Sequence, residues 1–269
     1  MKETAFFNDF LRMADDAWHM GWHESNGGNL SYRLRDKEAD EIRESFMPGD
    51  WHKIGVGVPV LASSFFIMTA SGSHFRNMLK DPETSLGIIE VDDTGERYRQ
   101  VWGYANGGRP TSELAPHLLN HQVKMEATGG VARVIYHAHP SDIIALSFVL
   151  PLEDEAFTKE LWGIMTECPI VFPSGIGVLK WLPPGSLDLA IATSKLMDRY
   201  DAVVWAHHGI FAAGADFDSV FGLVHTIEKS SGILLKVMST GRDRLSGITS
   251  GQFKELAARF DLKLDERFL

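Results

Sequence analysis

The chain alternates short apolar runs with longer amphipathic stretches, a pattern that predicts interleaved strands and helices. In residues 5–20, the apolar side chains Phe6, Phe10 and Ala14 recur near helical spacing. Further helices are predicted at 112–127, 141–149, 186–199, 217–238 and 251–260. Strands are predicted at 30–34, 65–69, 87–91, 131–136 and 202–206. Alternation of this kind favours layers of helices packed on a sheet, an α/β fold.

The turns between the predicted strands indicate that the sheet is not purely parallel. Asp92-Asp93-Thr94-Gly95 follows the strand at 87–91 and is typical of a hairpin turn. Residues 35–52 are rich in charge and are interpreted as a surface excursion. Because no repeat, low-complexity tract or linker divides the chain, one domain over residues 1–269 is the simplest organisation.

Two histidines stand at the end of the predicted strand 131–136. His137 and His139 are two residues apart, so on a continued strand both side chains point to the same face. Two neutral imidazoles on one face form half of a metal site, and a catalytic zinc site commonly needs a third protein ligand and an open position. The strand at 202–206 ends in His207 and His208, and spacing alone does not choose between them.

Glu113 follows Pro110, Thr111 and Ser112, and two interpretations of this segment are open. A hydroxyl after proline is typical of a helix N-cap, and the helix dipole favours a glutamate in the first turn. Alternatively, Glu113 is a general base that takes a proton from a carbon whose carbonyl a metal polarises. No Glu or Gln stands three residues after Thr111 or Ser112, so a capping box does not account for Glu113.

Two turns that contain glycine lie at strand boundaries, Asn26-Gly27-Gly28-Asn29 and Ser71-Gly72-Ser73. Glycine lets backbone N–H groups approach an anion, and asparagine and serine side chains add donors. Thr111 and Ser112 could add hydroxyls to the same anion. Ordinary turn chemistry is the alternative interpretation. No Gly-Lys-Ser/Thr follows either turn, so a nucleotide is not implied.

Composition narrows the classes of partner. The net charge of −10 argues against a general nucleic-acid binder, and it means that an anionic substrate needs a local cradle of donors. No apolar run approaches the roughly 20 residues that span a bilayer, so no membrane partner is expected. The one cysteine, Cys168, is interpreted as a small core residue and leaves no intrachain disulfide to form. Together with an N-terminus unlike a signal peptide, this favours the cytoplasm.

Taken together, these segments resemble the class II aldolase/adducin-like family, over most of the chain and in the order expected of the family. The matching stretches include Asn26-Gly27-Gly28-Asn29-Leu30, Thr69-Ala70-Ser71-Gly72, Pro110-Thr111-Ser112-Glu113-Leu114, His137-Ala138-His139, Thr166-Glu167-Cys168, Gly175-Ile176-Gly177 and His208-Gly209. One branch of this family cleaves L-rhamnulose 1-phosphate. The chain resembles that branch in its length and in two segments, residues 26–30 and 166–168.

The resemblance implies a three-layer α/β/α fold around a central mixed, mostly antiparallel sheet. It implies one zinc ion per subunit held by His137, His139 and His208, and so selects His208 over His207. It makes Glu113 the acid/base of a reversible aldol cleavage that yields dihydroxyacetone phosphate and L-lactaldehyde. The residues that it assigns to the phosphate or its neighbourhood are Asn26, Gly28, Asn29, Ser71, Gly72, Thr111 and Ser112.

The resemblance also implies an assembly and leaves alternatives within and outside the enzymes of the family. Similar enzymes are homotetramers with the site at a subunit boundary, where Glu167 matches a glutamate that the neighbouring subunit contributes to catalysis. The alternatives are another class II sugar-phosphate enzyme, such as an L-fuculose-1-phosphate aldolase, an epimerase or a dehydratase, and a binding module without catalysis. The epimerase branch typically carries aspartate where this chain has Glu113, and the binding modules lose the metal ligands.

Overall fold

The structure is a computed structural model, and it describes residue 1 and residues 4–269. The strands are β1 (Asn29–Arg33), β2 (His52–Lys53), β3 (Phe65–Thr69), β4 (Leu86–Val91), β5 (Arg97–Gly103), β6 (Val134–Ala138), β7 (Gly177–Leu179), β8 (Ala202–Trp205) and β9 (Gly209–Gly214). The helices are α1 (Ala5–His19), α2 (Asp36–Ile42), α3 (Pro82–Ser85), α4 (Leu114–Thr128), α5 (Ser141–Leu146), α6 (Asp154–Ile164), α7 (Cys168–Val171), α8 (Leu187–Met197), α9 (Phe217–Ser239) and α10 (Ser250–Phe260).

The strands of the described residues form one mixed sheet in the order β2-β5-β4-β3-β1-β6-β9-β8-β7. Every pairing between neighbours in this described part is antiparallel except that of β7 with β8. β1 and β6 lie next to each other near the middle, with Asn29 opposite His137 and Ser31 opposite Ile135. The predicted mixed, mostly antiparallel sheet is therefore confirmed.

Helices cover both faces of the sheet, as the alternation of side chains along β6 requires. Val134 and Tyr136 point into the core that α1, α6 and α9 share with the sheet. Ile135 points to the opposite face, into a second core that contains residues of α8. The N-terminal half of α4 packs on that same side over β3 and β4. The predicted three-layer α/β/α arrangement is confirmed, and His137, two residues after Ile135, lies on the α4 and α8 side.

The structure differs from the sequence prediction in several segments, and it adds β5, β7, β9 and α6, which were not among the predicted elements. The strand predicted at 131–136 is β6, Val134–Ala138, because Gly129 and Gly130 turn left-handed and the Ala132 N–H still bonds the Thr128 hydroxyl at 3.0 Å. The helix predicted at 141–149 ends at Leu146. The surface excursion at 35–52 contains α2 and the first residue of β2, which its charge pattern did not indicate.

No helix in the described part of the chain is both long enough and apolar enough to cross a membrane.

Candidate active site

Three histidine side chains converge where β6, β8 and β9 end or begin. His137 lies in β6, His139 follows that strand directly, and His208 lies in the turn between β8 and β9. Each ring offers a nitrogen, and these nitrogens lie within 4.8 Å of one another. The ring centroids are 4.8–5.0 Å apart, so the three imidazoles surround one small volume. Three imidazoles with an open side are typical of a catalytic metal site.

The hydrogen bonds of two rings decide which nitrogen faces the cluster. His137 Nδ1 lies 3.0 Å from the carbonyl oxygen of Ile210, and His139 Nδ1 lies 2.7 Å from Oε1 of Glu24. Carbonyl and carboxylate oxygens accept, so both Nδ1 atoms carry the proton and both Nε2 atoms keep a lone pair. These two Nε2 atoms are 3.1 Å apart and face each other as acceptors. A cation between them satisfies both.

A divalent metal ion fits this donor set. Two nitrogens that bind one zinc ion at about 2.0–2.1 Å in tetrahedral geometry are about 3.4 Å apart, close to the separation of the two Nε2 atoms. His208 Nδ1 is buried and has no hydrogen-bond partner among the residues that the structure describes. The third ring therefore also carries a nitrogen whose partner the described protein does not supply.

Burial keeps the imidazoles of His137 and His208 neutral, which is the form that binds metal. Burial lowers the pKa of His137 well below its usual value, and the nearby His139 and His208 lower it further. Burial likewise lowers the pKa of His208 to about 4, with a further contribution from His139. Both rings are consequently in the neutral form near neutral pH, so a metal ion would not have to displace a proton from either of them.

The turn before β9 directs the rings of His207 and His208 to different places. His207 has a left-handed backbone, with φ of 62°. Its N–H and its Nδ1 both bond the hydroxyl of Ser147, at 2.9 and 3.0 Å, which turns this ring away from the cluster. His208 then faces His137 and His139. Gly209 follows because a Cβ there would collide with the backbone of Ala138 in β6.

Glu113 lies beside the cluster as a buried carboxylate, 7% exposed. Its Oε2 accepts a hydrogen bond of 2.8 Å from the side-chain amide of Asn29. Burial raises the pKa of Glu113, while the Asn29 bond and the His139 ring act in the opposite direction. A carboxyl group under these opposed influences is suited to both giving and taking a proton.

The segment before α4 departs from the predicted helix start. Thr111 and Ser112 do not cap the helix, which begins at Leu114, with Glu113 itself at the N-cap position and its side chain turned to Asn29. The reason is a bridge between Pro110 and Ala70 that keeps the backbone extended. The N-cap position therefore belongs to Glu113 and not to Thr111 or Ser112, but the Thr111 hydroxyl still accepts a hydrogen bond of 3.2 Å from the Glu113 N–H at the helix start.

The same bridge joins the two loops that carry the predicted phosphate donors. The Ser71 N–H donates to the Arg109 carbonyl at 2.9 Å, and the Thr111 N–H donates to the Thr69 carbonyl at 3.0 Å. A cavity of about 200 Å³ opens between these loops, the glycine turn after α1 and the histidines. Its lining includes every predicted site residue but one: Asn26, Gly28, Asn29, Ser71, Gly72, Thr111, Ser112, Glu113, His137, His139 and His208.

The cavity offers neutral donors to an anion. In the part of the chain that the structure describes, the N–H groups of Gly28, Gly72 and Ser112 have no protein acceptor. Gly28 and Gly72 both have φ of 74°, the left-handed conformation that glycine adopts without strain. No lysine or arginine is among the described residues that line the cavity. An anion bound here is held by N–H and O–H groups.

The one predicted site residue outside this cavity is Glu167. It is exposed and lies directly before the short helix α7, which packs with α6, α9 and α10. Cys168, by contrast, is fully buried, as its interpretation as a core residue required.

Two residues of the site were missed from the sequence. Glu24 orients His139 through the 2.7 Å bond described above, and His23 supports the glycine turn. The ring of His23 stacks on Phe75 and bonds the Gly27 carbonyl at 2.9 Å and the Tyr136 hydroxyl at 2.7 Å. Both residues lie within three positions of the Asn26–Asn29 turn, and this proximity was the only signal of their roles.

The structure combines a mixed sheet between two helical layers with three imidazoles beside a buried carboxylate. This is the architecture of a class II aldolase. Residues 8–235 match the sequence model of the family described as Class II Aldolase and Adducin N-terminal domain. The chain belongs to this family, and the resemblance seen in the sequence is confirmed.

The relatives are similar over nearly the whole chain. The rhamnulose-1-phosphate aldolase of Mannheimia succiniciproducens is 44% identical over 256 residues, which are 95% of this chain and 94% of the relative. That of Pectobacterium carotovorum is 43% identical, over 95% of this chain and 93% of the relative. Among solved structures, a sugar-phosphate aldolase from Thermotoga maritima superposes with a TM-score of 0.76 at 29% identity, covering 89% of this chain and 97% of that one.

A more distant structure shows the fold alone. The L-fuculose-1-phosphate aldolase from Thermus thermophilus has a TM-score of 0.59 at 20% identity, with 89% of this chain and 98% of that chain covered.

The Glu24 carboxylate has a testable effect on metal binding. Replacing it, as Glu24→Gln, removes the charge that holds the His139 tautomer and raises the basicity of its Nε2. We expect the affinity for Zn²⁺ to fall about 10- to 100-fold, measured by competition with a chromophoric chelator. Glu255→Gln, which changes an exposed glutamate in α10, is the matched control. Equal affinities in the two variants would contradict the role of Glu24.

Proposed function

We propose that this chain catalyses the reversible cleavage of L-rhamnulose 1-phosphate into dihydroxyacetone phosphate and L-lactaldehyde. The observation that carries the proposal is one small cavity that combines a cluster of three imidazoles, a buried carboxylate and a set of neutral anion donors. The choice of substrate within the family is supported by relatives named rhamnulose-1-phosphate aldolase, at 43–44% identity over 95% of the chain.

His137, His139 and His208 would hold the metal, for which we propose zinc. When bound, the ion supplies Lewis acidity that stabilises negative charge on the oxygens next to the reacting carbon. The protein would contribute three imidazole ligands, and Ile210 and Glu24 set the orientation of two of them. With this stabilisation the reaction needs no lysine Schiff base.

Glu113 moves the proton at C3 of the three-carbon product. In the cleavage direction the bond between C3 and C4 breaks, its electron pair stays on C3, and protonated Glu113 delivers a proton there. In the synthetic direction the Glu113 carboxylate removes that proton from dihydroxyacetone phosphate. Burial favours the protonated form and the Asn29 bond favours the ionised form, so both directions are accessible to the one carboxyl group.

The phosphate would lie against the free N–H groups of Gly28, Gly72 and Ser112, with side chains of Asn26 and Ser71 nearby. Dipoles of N–H and O–H groups that point at one place bind an anion without a cation. Holding the phosphate fixes C3 beside Glu113 and so converts binding into positioning.

The proton that leaves the O4 hydroxyl during cleavage needs an acceptor, and Glu113, the one carboxyl group in the described lining of the cavity, is already protonated in that direction. We propose that Glu167 assists there from a neighbouring subunit of a homotetramer. Glu167 is exposed in the single chain, and large apolar side chains are exposed as well, such as Phe148 at 69% and Trp181 at 57%. Exposed apolar surface of this kind is typical of a protein that assembles.

The cleavage of L-rhamnulose 1-phosphate tests the reaction directly, with dihydroxyacetone phosphate detected by a coupled assay. We expect activity that a chelator abolishes and added Zn²⁺ restores, because the stabilisation of the carbanion depends on the ion. Cleavage of L-fuculose 1-phosphate in its place would show the metal site to be right and the substrate wrong. An apo protein that keeps most of its activity would contradict the mechanism.

Glu113→Gln keeps the shape of the side chain but removes its ability to carry the C3 proton. We expect kcat for cleavage to fall about 10²–10⁴-fold while bound zinc stays at the wild-type level. Glu126→Gln changes an exposed glutamate of α4, the helix that Glu113 precedes, and should leave kcat unchanged. A Glu113→Gln variant with nearly full kcat would assign the proton transfer to another group.

Subunit mixing tests whether Glu167 acts across a boundary. Glu167→Gln and His139→Ala should each be nearly inactive, yet dissociating and reassembling them together should recover activity. In random mixing, about a quarter of the sites combine an intact histidine cluster with an intact Glu167 from the neighbour. Mixing Glu113→Gln with His139→Ala should recover none, because both residues belong to the same chain's site. Absence of recovery in the first mixture would refute the shared site.

A further inference from the structure

A line of buried side chains leads from Glu113 away from the cavity, into the interface between β1 and α4. Oε2 of Glu113 accepts from Nδ2 of Asn29 at 2.8 Å, and Oδ1 of Asn29 bonds Nε2 of His117. Nδ1 of His117 lies 2.6 Å from the hydroxyl of Ser31. The same hydroxyl lies 2.8 Å from Nε2 of His121. We call Asn29, His117, Ser31 and His121 the buried relay.

The relay follows from the periods of the two elements. Asn29 and Ser31 are two residues apart on β1 and therefore face the same side of the sheet. His117 and His121 are four residues apart on α4 and therefore lie on the same face of that helix. Both histidines contact the Ser31 hydroxyl, and His117 also contacts Asn29. One turn of α4 therefore packs against two successive residues on the same face of β1.

The hydrogen bonds of the relay have only one consistent direction when Glu113 is ionised. A carboxylate accepts only, so Asn29 must present its amide NH₂ to Glu113 and its oxygen to His117. His117 then donates from Nε2 and accepts at Nδ1 from the Ser31 hydroxyl. Ser31 in turn accepts from Nε2 of His121.

Burial supports this fixed direction, because it keeps both histidines neutral with one donor and one acceptor each. His117, Ser31 and His121 are at most 1% exposed. Desolvation lowers the pKa of His117 to about 3. Desolvation, followed by the charges of His117, Arg33 and Arg133, lowers that of His121 well below its usual value. Neither ring is among the residues that line the cavity.

We propose that His117 is a positioning residue for proton transfer at C3: it holds the oxygen of Asn29, which keeps the amide NH₂ turned to Glu113 and the carboxylate aimed into the cavity. This inference rests on the proposed function of Glu113. Without the donor at Nε2, the Asn29 amide can rotate and present its oxygen to the carboxylate. Two acceptors then face each other, and Glu113 leaves the position from which it reaches C3.

Substitutions of His117 test the proposal, because glutamine places an amide near the position of Nε2 whereas leucine and asparagine do not. We expect His117→Leu to lower kcat for cleavage about 10- to 100-fold, since a displacement of about 1 Å at the reacting groups has effects of that size. KM should stay within about threefold, because the phosphate donors do not move. His117→Gln should recover most of kcat, and His117→Asn should not.

A second measurement isolates the step that Glu113 performs. The exchange of the C3 proton of dihydroxyacetone phosphate in D₂O, followed by proton NMR without any aldehyde, should slow in the same ratio as kcat. Bound zinc should equal that of the wild type in all variants. Asn120→Leu is the control, since Asn120 is an equally buried residue of α4 that contacts its own helix at Pro116. It should leave kcat, the exchange rate and KM at their wild-type values.

The outcomes separate the positioning role from stability and from the proposed function. If His117→Leu keeps full kcat and exchange with zinc bound, the proposal is wrong. If His117→Leu does not fold, the comparison of His117→Gln with His117→Asn decides, and equal kcat values in those two overturn it. If the wild type exchanges the C3 proton but does not cleave L-rhamnulose 1-phosphate, the substrate is wrong and the exchange data still test His117. A wild type with neither activity would overturn both proposals.

Discussion

The register of β1 against β6 is the constraint on which the site depends. It sets Asn29 opposite His137, so the residue that holds Glu113 lies beside a residue of the histidine cluster. Because side chains alternate along a strand, a slip of one residue would turn Asn29 and Ser31 toward the opposite helical layer. The antiparallel hydrogen bonds of two central strands thereby join Glu113, the histidine cluster and the relay in one rigid frame.

Much of this arrangement could be predicted from the sequence, because its signals are local. The alternation of strands and helices gives the layers, and a His-x-His pair at a strand end gives the first two imidazoles. Choosing His208 over His207 depended on resemblance alone. The structure shows why spacing could not decide: Ser147, distant in sequence, bonds the backbone and ring of His207. A contact between residues distant in sequence therefore determines that His208, and not His207, faces the cluster.

The supporting residues of the site could not be predicted, because their roles depend on contacts that form only when helices and strands pack together. His117 and His121 have the spacing of a helix face, but a histidine on such a face reads equally well as a packed core residue. Ser31 looks like an ordinary strand residue until α4 covers it. Glu24, likewise, is 68% exposed and has no sequence pattern around it that indicates a partner more than a hundred positions away.

The absence of lysine and arginine from the described lining of the cavity is consistent with the chemistry proposed for Glu113. A cation held close to Glu113 would lower the pKa of that carboxyl group and leave it without a proton to deliver in the cleavage direction. Neutral N–H donors bind a phosphate while perturbing the neighbouring carboxyl group less, since dipoles act over shorter distances than charges. A metal ion held by the three histidines would then supply the positive charge that the proposed reaction needs. In a chain with a net charge of −10, local dipoles would thus replace a global field in holding the proposed phosphate.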